Sequence, residues 1–150
     1  MSAPATPYIV VGVDGSEASE HALRWAEFMA RQTGSELRAV MSWSPVLPGG
    51  GVAVLGPDGW DPEADTRQIL AKTVRKVLGE TSSVAVEERV VEGGAAKSLL
   101  EESAEARMLV VGSRGRGGFA GLLLGSVSAV CAAHAKCPVL IIHGDTPLPG

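Results

Sequence analysis

The sequence predicts a single α/β domain, residues 1–150, built on an open five-stranded parallel sheet with helices on both faces. Continuous apolar runs, such as Tyr8 to Val13 and Met108 to Val111, indicate strands buried on both faces. These runs alternate strictly along the chain with segments of helical periodicity. Hydrophobic residues make up 45 % of the chain and aromatic residues only 4 %, so Val, Leu, Ala and Ile must form most of the core.

The first third of the chain predicts a strand, a helix and a second strand. The strand ends in the turn Asp14-Gly15-Ser16, and Ser16 is a suitable N-cap for the helix that follows. Small and apolar residues recur at helical spacing until Gly34, which is a suitable stop. Glu36 to Trp43 is the second predicted strand.

The middle of the chain contains a long connection, a helix and a charged strand. Ser44 to Trp60 is rich in Gly and Pro, and a loop of this length is typically functional or mobile. Asp61-Pro62 is a favourable helix start, and Gly79 ends that helix. The third predicted strand, Val84 to Val91, has the charged centre Glu87-Glu88-Arg89, which favours an edge position.

The last third predicts two further helix–strand pairs. Gly93-Gly94 leads into a helix, and the apolar strand Met108 to Val111 follows. A glycine-rich loop precedes a helix from about Ser126 to Ala135, and Pro138 to Ile142 is the last strand. With the charged third strand at an edge, right-handed crossovers favour the strand order 3-2-1-4-5. We expect residues 1–6 and 145–150 to be flexible tails.

Composition excludes several classes of function. A net charge of −4 offers no general attraction to nucleic acid, whose binding depends on Lys and Arg neutralising phosphates. The sequence shows neither a signal peptide nor an apolar stretch long enough to cross a bilayer, so we expect a cytoplasmic protein with no membrane contact. Cys131 and Cys137 lack zinc-ligand spacing, and we interpret both as ordinary small buried residues.

The predicted topology places a ligand site between strands one and four. In an open parallel sheet, ligands bind beyond the carboxyl ends of the strands, at the point where the strand order reverses. For the order 3-2-1-4-5, the loops at that point are Gly12 to Ser16 and Gly112 to Ser126. These two loops also have the most unusual composition in the chain.

The second of these loops has the chemistry of a phosphate site. Its glycines permit close approach of the backbone, so that successive N–H groups can bind a phosphate. At the next helix start, the Ser126 hydroxyl and the N–H groups of Val127 and Ser128 are placed to meet phosphate oxygens. Arg114 and Arg116 add positive charge.

Two better-known phosphate motifs are excluded. The P-loop pattern GxxxxGK(S/T) is absent. The dinucleotide fingerprint matches loosely at Gly115, Gly117 and Ala120, but it follows the fourth strand and lacks the expected acidic residue, so we treat it as chance.

A plainer interpretation of each feature remains open at this point. The glycine-rich segment is also compatible with a connection that binds nothing. Asp14 can stabilise its own turn, and Arg114 and Arg116 can be solvated loop charges. The three histidines, His21, His134 and His143, are scattered and are interpreted as structural or exposed.

The loop resembles that of the universal stress protein family. ATP-binding members carry the pattern G-x2-G-x9-G-(S/T) after the fourth strand, and Gly112, Gly115, Gly125 and Ser126 match it at every fixed position. The resemblance covers nearly the whole chain and implies a Rossmann-like fold of the adenine nucleotide alpha hydrolase type. Together with the switch-point residues it defines the candidate nucleotide-binding set Gly12, Val13, Asp14, Met41, Ser42, Val111, Gly112, Arg114, Gly115, Arg116, Gly125, Ser126, Val127 and Ser128.

The resemblance also implies ligands and partners. ATP is the expected nucleotide, with Mg²⁺ or Mn²⁺ held between its phosphates and Asp14, and adenine contacts from the backbone around Met41 and Ser42. Family members commonly dimerise through the last strand, here Val139 to Ile142. We predict a nucleotide-dependent sensor or regulator in the stress response.

Catalysis is less favoured than sensing. Only Asp14 is a plausible group to orient a nucleophile, so no catalytic residue is assigned and slow ATP hydrolysis is the most we expect. Cyclic AMP as the ligand, and a ligand-free interaction protein of the same fold, remain alternatives.

Overall fold

A computed structural model describes residues 6–44, 61–80, 82–114, 124–144 and 146–149. The elements in chain order are β1 (Tyr8–Gly12), α1 (Glu17–Thr33), β2 (Glu36–Trp43), α2 (Pro62–Leu78), β3 (Val86–Glu92), α3 (Ala95–Glu102), β4 (Met108–Gly112), α4 (Ser126–His134) and β5 (Val139–Ile142). All strand pairs are parallel, and the sheet order is β3-β2-β1-β4-β5. The predicted fold class and strand order are therefore confirmed.

The ends of α1 and α2 lie where capping residues predicted them. The side chain of Ser16 accepts a hydrogen bond from the Ser19 N–H, and Gly34 ends α1 in the left-handed conformation at φ 65°. Asp61 caps α2 through the N–H groups of Glu63 and Ala64, and Gly79 closes it. These short-range signals were sufficient because each cap satisfies a backbone group that the helix itself leaves unpaired.

Four strands differ from the prediction by one or two residues; β4 ends at Gly112 and not at Val111, and β5 begins at Val139 and not at Pro138. β1 ends at Gly12, although the Val13 N–H still donates to the Val40 carbonyl over 2.9 Å. β3 begins at Val86 and extends to Glu92, because its pairing runs alongside β2 from Leu37 to Trp43. As an edge strand with one neighbour, β3 takes its length from β2 and not from its own apolar residues.

The sheet buries two apolar clusters, one on each face. One cluster joins α1 and α2 to the sheet, with the fully buried Ala22, Leu23 and Leu70 among its members. The other joins α3 and α4 to the opposite face through Leu99 and Cys131. The helices thus cover both faces, as the unbroken apolar strands predicted.

The two cysteines are free thiols. Cys131 is fully buried, and burial chiefly raises the pKa of its thiol, with a smaller contribution from Cys137. Burial also raises the pKa of the half-buried Cys137. A raised pKa disfavours the reactive thiolate, in agreement with a packing role.

The part of the chain that the structure describes contains no helix long and apolar enough to cross a membrane. Within the same ranges, no group of three or more His, Cys, Asp or Glu side chains could hold a metal ion alone.

The Gly- and Pro-rich connection, from residue 45 to 60, lies outside the described residues, as do parts of both predicted tails. Residues 146–149 are described, and the Trp25 indole N–H donates to the Pro147 carbonyl over 3.1 Å.

An ion-pair network joins β2, β3 and α3 on the face that α3 covers. The Glu102 carboxylate lies 3.0 Å from Arg89 Nε and 3.7 Å from an Arg38 terminal nitrogen. Glu87 contacts both arginines as well, and the Arg38 guanidinium stacks 3.9 Å from the centre of the Tyr8 ring. Hydrogen bonding to Glu87, and secondarily to Glu102, raises the pKa of Arg89.

We expect Glu102→Gln to lower the free energy of unfolding by about 1–2 kcal/mol, because it leaves two neighbouring guanidinium groups with one carboxylate between them. The Glu102 side chain is only 14 % exposed, so water replaces the lost charge poorly. The matched control is Glu63→Gln, which removes an exposed partner of Arg67 one turn along α2. That change should cost less than about 0.5 kcal/mol. Urea unfolding of both variants is the measurement, and equal losses would contradict the prediction.

Candidate functional site

The candidate site lies at the carboxyl ends of β1 and β4. These two strands pair in parallel, with Val10 opposite Leu109 and Val11 opposite Val110. Their ends are therefore level, and the loops that follow them start side by side. Both loops had been selected from the sequence on composition and on the predicted switch point.

Gly112 brings the start of α1 against the end of β4. A Cβ atom at Gly112 would lie 3.1 Å from both the Cβ atom and the carbonyl oxygen of Ala18. This spacing is tighter than most side-chain contacts, so glycine is required for the helix to sit this close. The first turn of α1 consequently forms one wall of the site.

The start of α4 is tied to Ser113, the residue directly after β4, by two hydrogen bonds. The Gly125 N–H donates to the Ser113 carbonyl over 2.6 Å. The buried Ser128 hydroxyl donates to the carbonyls of Ser113 and Gly125, over 2.8 and 3.1 Å. Ser113 and Gly125, near the two ends of the glycine-rich loop, therefore lie side by side, and the N-terminus of α4 lies next to the end of β4.

The N-terminus of α4 has the properties of an anion site. Gly125 is its N-cap, with no side-chain cap and no acidic residue in the first turn. The N–H groups of Ser126, Val127 and Ser128 lie in the first turn, where an α-helix leaves backbone donors unpaired. Ser128 can contribute only its N–H, because its hydroxyl is engaged inside the fold.

Asp14 is positioned by the turn that it also stabilises. One carboxylate oxygen accepts hydrogen bonds from the Ser16 N–H over 2.9 Å and from the Ser16 hydroxyl. The Asp14 N–H donates a hydrogen bond to the Ser19 hydroxyl over 3.3 Å. Asp14 therefore stabilises its own turn, as one interpretation of the sequence suggested. The same hydrogen bonds hold its carboxylate at the carboxyl end of β1.

Other candidate residues have packing roles in the structure. A Cβ atom at Gly12 would lie 2.8 Å from a methyl group of Leu99, so this glycine accommodates α3. Val13 and Val111 are buried. Met41 packs against the α1–α2 cluster, and Ser42 is half-buried next to it on β2. Gly115 and Arg116 lie outside the described residues.

A cleft of about 380 Å³ opens beside these elements. Its described lining consists of Ala18, Ser113, Arg114, His143 and Gly144. His143 and Gly144 were not selected from the sequence. One feature of the sequence could have identified them: they directly follow the last strand, β5. The carboxyl end of β5 lies next to that of β4.

Fold and site together define a class: an open parallel α/β protein in which a helix N-terminus without a side-chain cap lies at the switch point of the sheet. Residues 7–143 match the model of the universal stress protein family. The match covers most of the chain, which therefore belongs to that family.

Individual relatives support the assignment. A universal stress protein of Mycolicibacterium smegmatis is 39 % identical over 135 residues, covering 90 % of this chain and 45 % of the relative. The chain spans about half the length of the curated relatives it matches. Among solved structures, a universal stress protein in complex with cAMP is 31 % identical with a TM-score of 0.69, covering 95 % of this chain and 100 % of the other. Universal stress protein UspA from Lactobacillus plantarum is 21 % identical, with a TM-score of 0.74 and coverages of 93 % and 99 %, and shows the same fold.

Proposed function

We propose that the protein binds an adenine nucleotide, with ATP as its preferred ligand, and acts as a nucleotide-dependent regulator in the stress response. The observation that carries the proposal is the hydrogen bond from the Gly125 N–H to the Ser113 carbonyl. It holds an uncapped helix N-terminus at the ligand-binding edge of the sheet. The complex of a 31 % identical universal stress protein with cAMP supports an adenine nucleotide as the ligand class.

Each group has a defined role in this proposal. The first-turn N–H groups of α4 and the Ser126 hydroxyl hydrogen-bond phosphate oxygens, and the exposed Arg114 adds a fixed positive charge. Backbone atoms near Met41 and Ser42 meet the adenine. The Ser16 contacts orient the Asp14 carboxylate.

A divalent cation fits this donor set only together with the nucleotide. Asp14 supplies one carboxylate, and the described residues contain no larger group of ligating side chains. Mg²⁺ is commonly bound by one or two carboxylates, waters and substrate phosphates, so one carboxylate is sufficient. When bound, the ion supplies charge neutralisation for the phosphates.

Cyclic AMP is the second candidate ligand, because the 31 % identical structure contains it. A single phosphate can occupy the start of α4 as readily as the first phosphate of ATP. Among the described residues, Asp14 is the carboxylate of the proposed site that could orient water, and its turn already engages it. We therefore expect hydrolysis of ATP to be slow or absent.

We further propose a homodimer through β5. This four-residue edge strand is wholly apolar, and within the described residues it pairs with β4 alone. Three of its residues, Val139, Leu140 and Ile141, are half-buried in the single chain. An apolar edge with free backbone groups favours pairing with a second copy.

Native mass spectrometry of the gently purified protein, with ATP, cAMP and Mg²⁺ added in turn, tests these proposals. We expect a dimer that retains ATP, with little or no phosphate released in a parallel assay of hydrolysis. Unliganded protein at millimolar ATP would overturn the nucleotide proposal. Preferential retention of cAMP in competition with ATP would favour cAMP as the ligand. Rapid multiple turnover of ATP would indicate an enzyme. The mass of a monomer would contradict the β5 interface.

A further inference from the structure

A segment rich in proline, residues 146–149, lies against α1. The Trp25 indole N–H donates to the Pro147 carbonyl over 3.1 Å, across 122 positions of the chain. The segment follows β5 through a turn in which the Thr146 N–H donates to the His143 carbonyl over 2.9 Å. These hydrogen bonds hold the segment against a helix that is far from it in sequence.

The sequence of this segment favours the polyproline II conformation. A proline ring fixes φ at about −65°, here at Pro147 and Pro149. The residue before a proline is biased to extended conformations, which applies to Thr146 and Leu148. All four residues therefore favour one extended backbone, which makes no internal hydrogen bonds and leaves its carbonyls free to accept. The structure accordingly shows neither helix nor strand at residues 146–149.

The α1 surface that meets the segment is aromatic. Trp25 and Phe28 are half-buried and contact each other edge to face, with ring centroids 5.7 Å apart and ring planes at 80°. Trp25 also packs against the α1–α2 cluster, so the core holds the indole in place. Proteins recognise polyproline II segments with aromatic side chains, and the indole N–H supplies a hydrogen bond to an unpaired carbonyl.

The segment lies on this surface without being buried by it. Pro147 and Leu148 are exposed, Leu148 to 52 %. The side chains of residues 146–149 carry no charge that could form an ion pair. The hydrogen bond from Trp25 uses a backbone carbonyl and not a side chain, so another segment with the same backbone conformation can make it.

We propose that the Trp25–Phe28 surface of α1 is a docking site for an uncharged Pro-x-Pro segment of a partner protein, and that the chain's own residues 146–149 occupy it when the partner is absent. The partner's segment displaces residues 146–149 and accepts the Trp25 N–H with a backbone carbonyl. Its proline rings pack on the two aromatic side chains. The proposal is independent of the nucleotide function, since Trp25 lies two turns along α1 from Ala18, which lines the cleft.

The test titrates the synthetic peptide Thr-Pro-Leu-Pro-Gly into the full chain and follows backbone and indole N–H signals by nuclear magnetic resonance. The double variant Pro147→Gly/Pro149→Gly removes the conformational bias of the chain's own segment. We expect it to bind the peptide about threefold to tenfold more tightly than the wild type, whose linked segment competes at a roughly millimolar effective concentration. Adding Trp25→Phe keeps an aromatic ring and removes the donor, which should weaken peptide binding about threefold to tenfold.

Two controls separate recognition from non-specific contact. Trp43→Phe, at the end of β2, should leave peptide affinity unchanged in the double variant. A peptide with both prolines replaced by alanine should bind at least about threefold more weakly, because it is not preorganised.

Three results would overturn the proposal. One is equal binding of the two peptides, and another is binding that leaves the Trp25 indole signal of the double variant unshifted. The third is conversion of a dimer to a monomer by Trp25→Phe in native mass spectrometry, since the occupant would then be a second copy of the chain. Melting temperatures establish that each variant is folded, and the comparison of the two peptides decides should Trp25→Phe unfold.

Discussion

Replacing Gly125 by alanine is expected to weaken ATP binding about tenfold to a hundredfold. Gly125 is the buried N-cap of α4, at φ −72° and ψ 168°, so alanine is compatible with its backbone conformation. The added methyl group occupies space where a phosphate would approach the first-turn N–H groups. Loss of one or two charge-assisted hydrogen bonds, each about 1.5–3 kcal/mol, accounts for the expected range.

The chain offers a close control for this substitution. Gly94 is the N-cap of α3, at φ −68° and ψ 146°, and it too lacks a side-chain cap. A Cβ atom at Gly94 meets no heavy atom within 4 Å. Gly94→Ala should therefore leave ATP affinity unchanged, whereas Gly125→Ala lowers it, and melting temperatures of both variants establish that each is folded. If titration shows wild-type ATP affinity in both variants, the phosphate site does not lie at the start of α4.

Leu109→Ala is expected to lower the free energy of unfolding by about 2–5 kcal/mol. Leu109 is fully buried in β4, opposite Val10 on β1, and packs in the cluster that contains Leu99 and Cys131. Removing its isobutyl group leaves a cavity between the sheet and α3, which a close-packed interior fills only in part. Such a loss is a large share of a typical total stability of about 5–15 kcal/mol.

Ile69→Ala is the control for the core substitution. Ile69 lies on α2 and is 41 % exposed, so the same kind of truncation there should change stability by less than about 1 kcal/mol. Denaturant unfolding monitored by circular dichroism compares the two variants. A loss below about 1 kcal/mol for Leu109→Ala would show that β4 is not a central strand of the core.

The elements of the fold were predictable because their signals are local. Unbroken apolar runs identified β1 and β4, and capping residues such as Ser16 and Asp61 identified helix starts to the residue. Strand order followed from the charged centre of β3, which favours an edge position. The boundaries of β3 were less predictable, since they depend on its pairing with β2.

The sequence predicted where the candidate site lies in the fold, but not which residues line it. The switch-point rule located the two loops, and the structure joins them through Gly112 and Gly125. The rule carries no information on packing: Gly12 stays a predicted ligand contact, and the structure adds that its missing side chain accommodates Leu99. His143 was not predicted as a site residue, because it belongs to no recognisable sequence motif.

The sequence by itself determined the class of fold, the order of strands, the helix caps and the glycine-rich loop that resembles a nucleotide site. Each depends on the chemistry of residues near one another in the chain or on the topology that their periodicity implies. Only the tertiary structure decided which side chains share the cleft. Ser113 and His143 are thirty positions apart, and parallel pairing of β4 with β5 is what brings them together. Contacts of this kind depend on strand register and on the close approach of helices, which the pattern of residues along one segment does not contain.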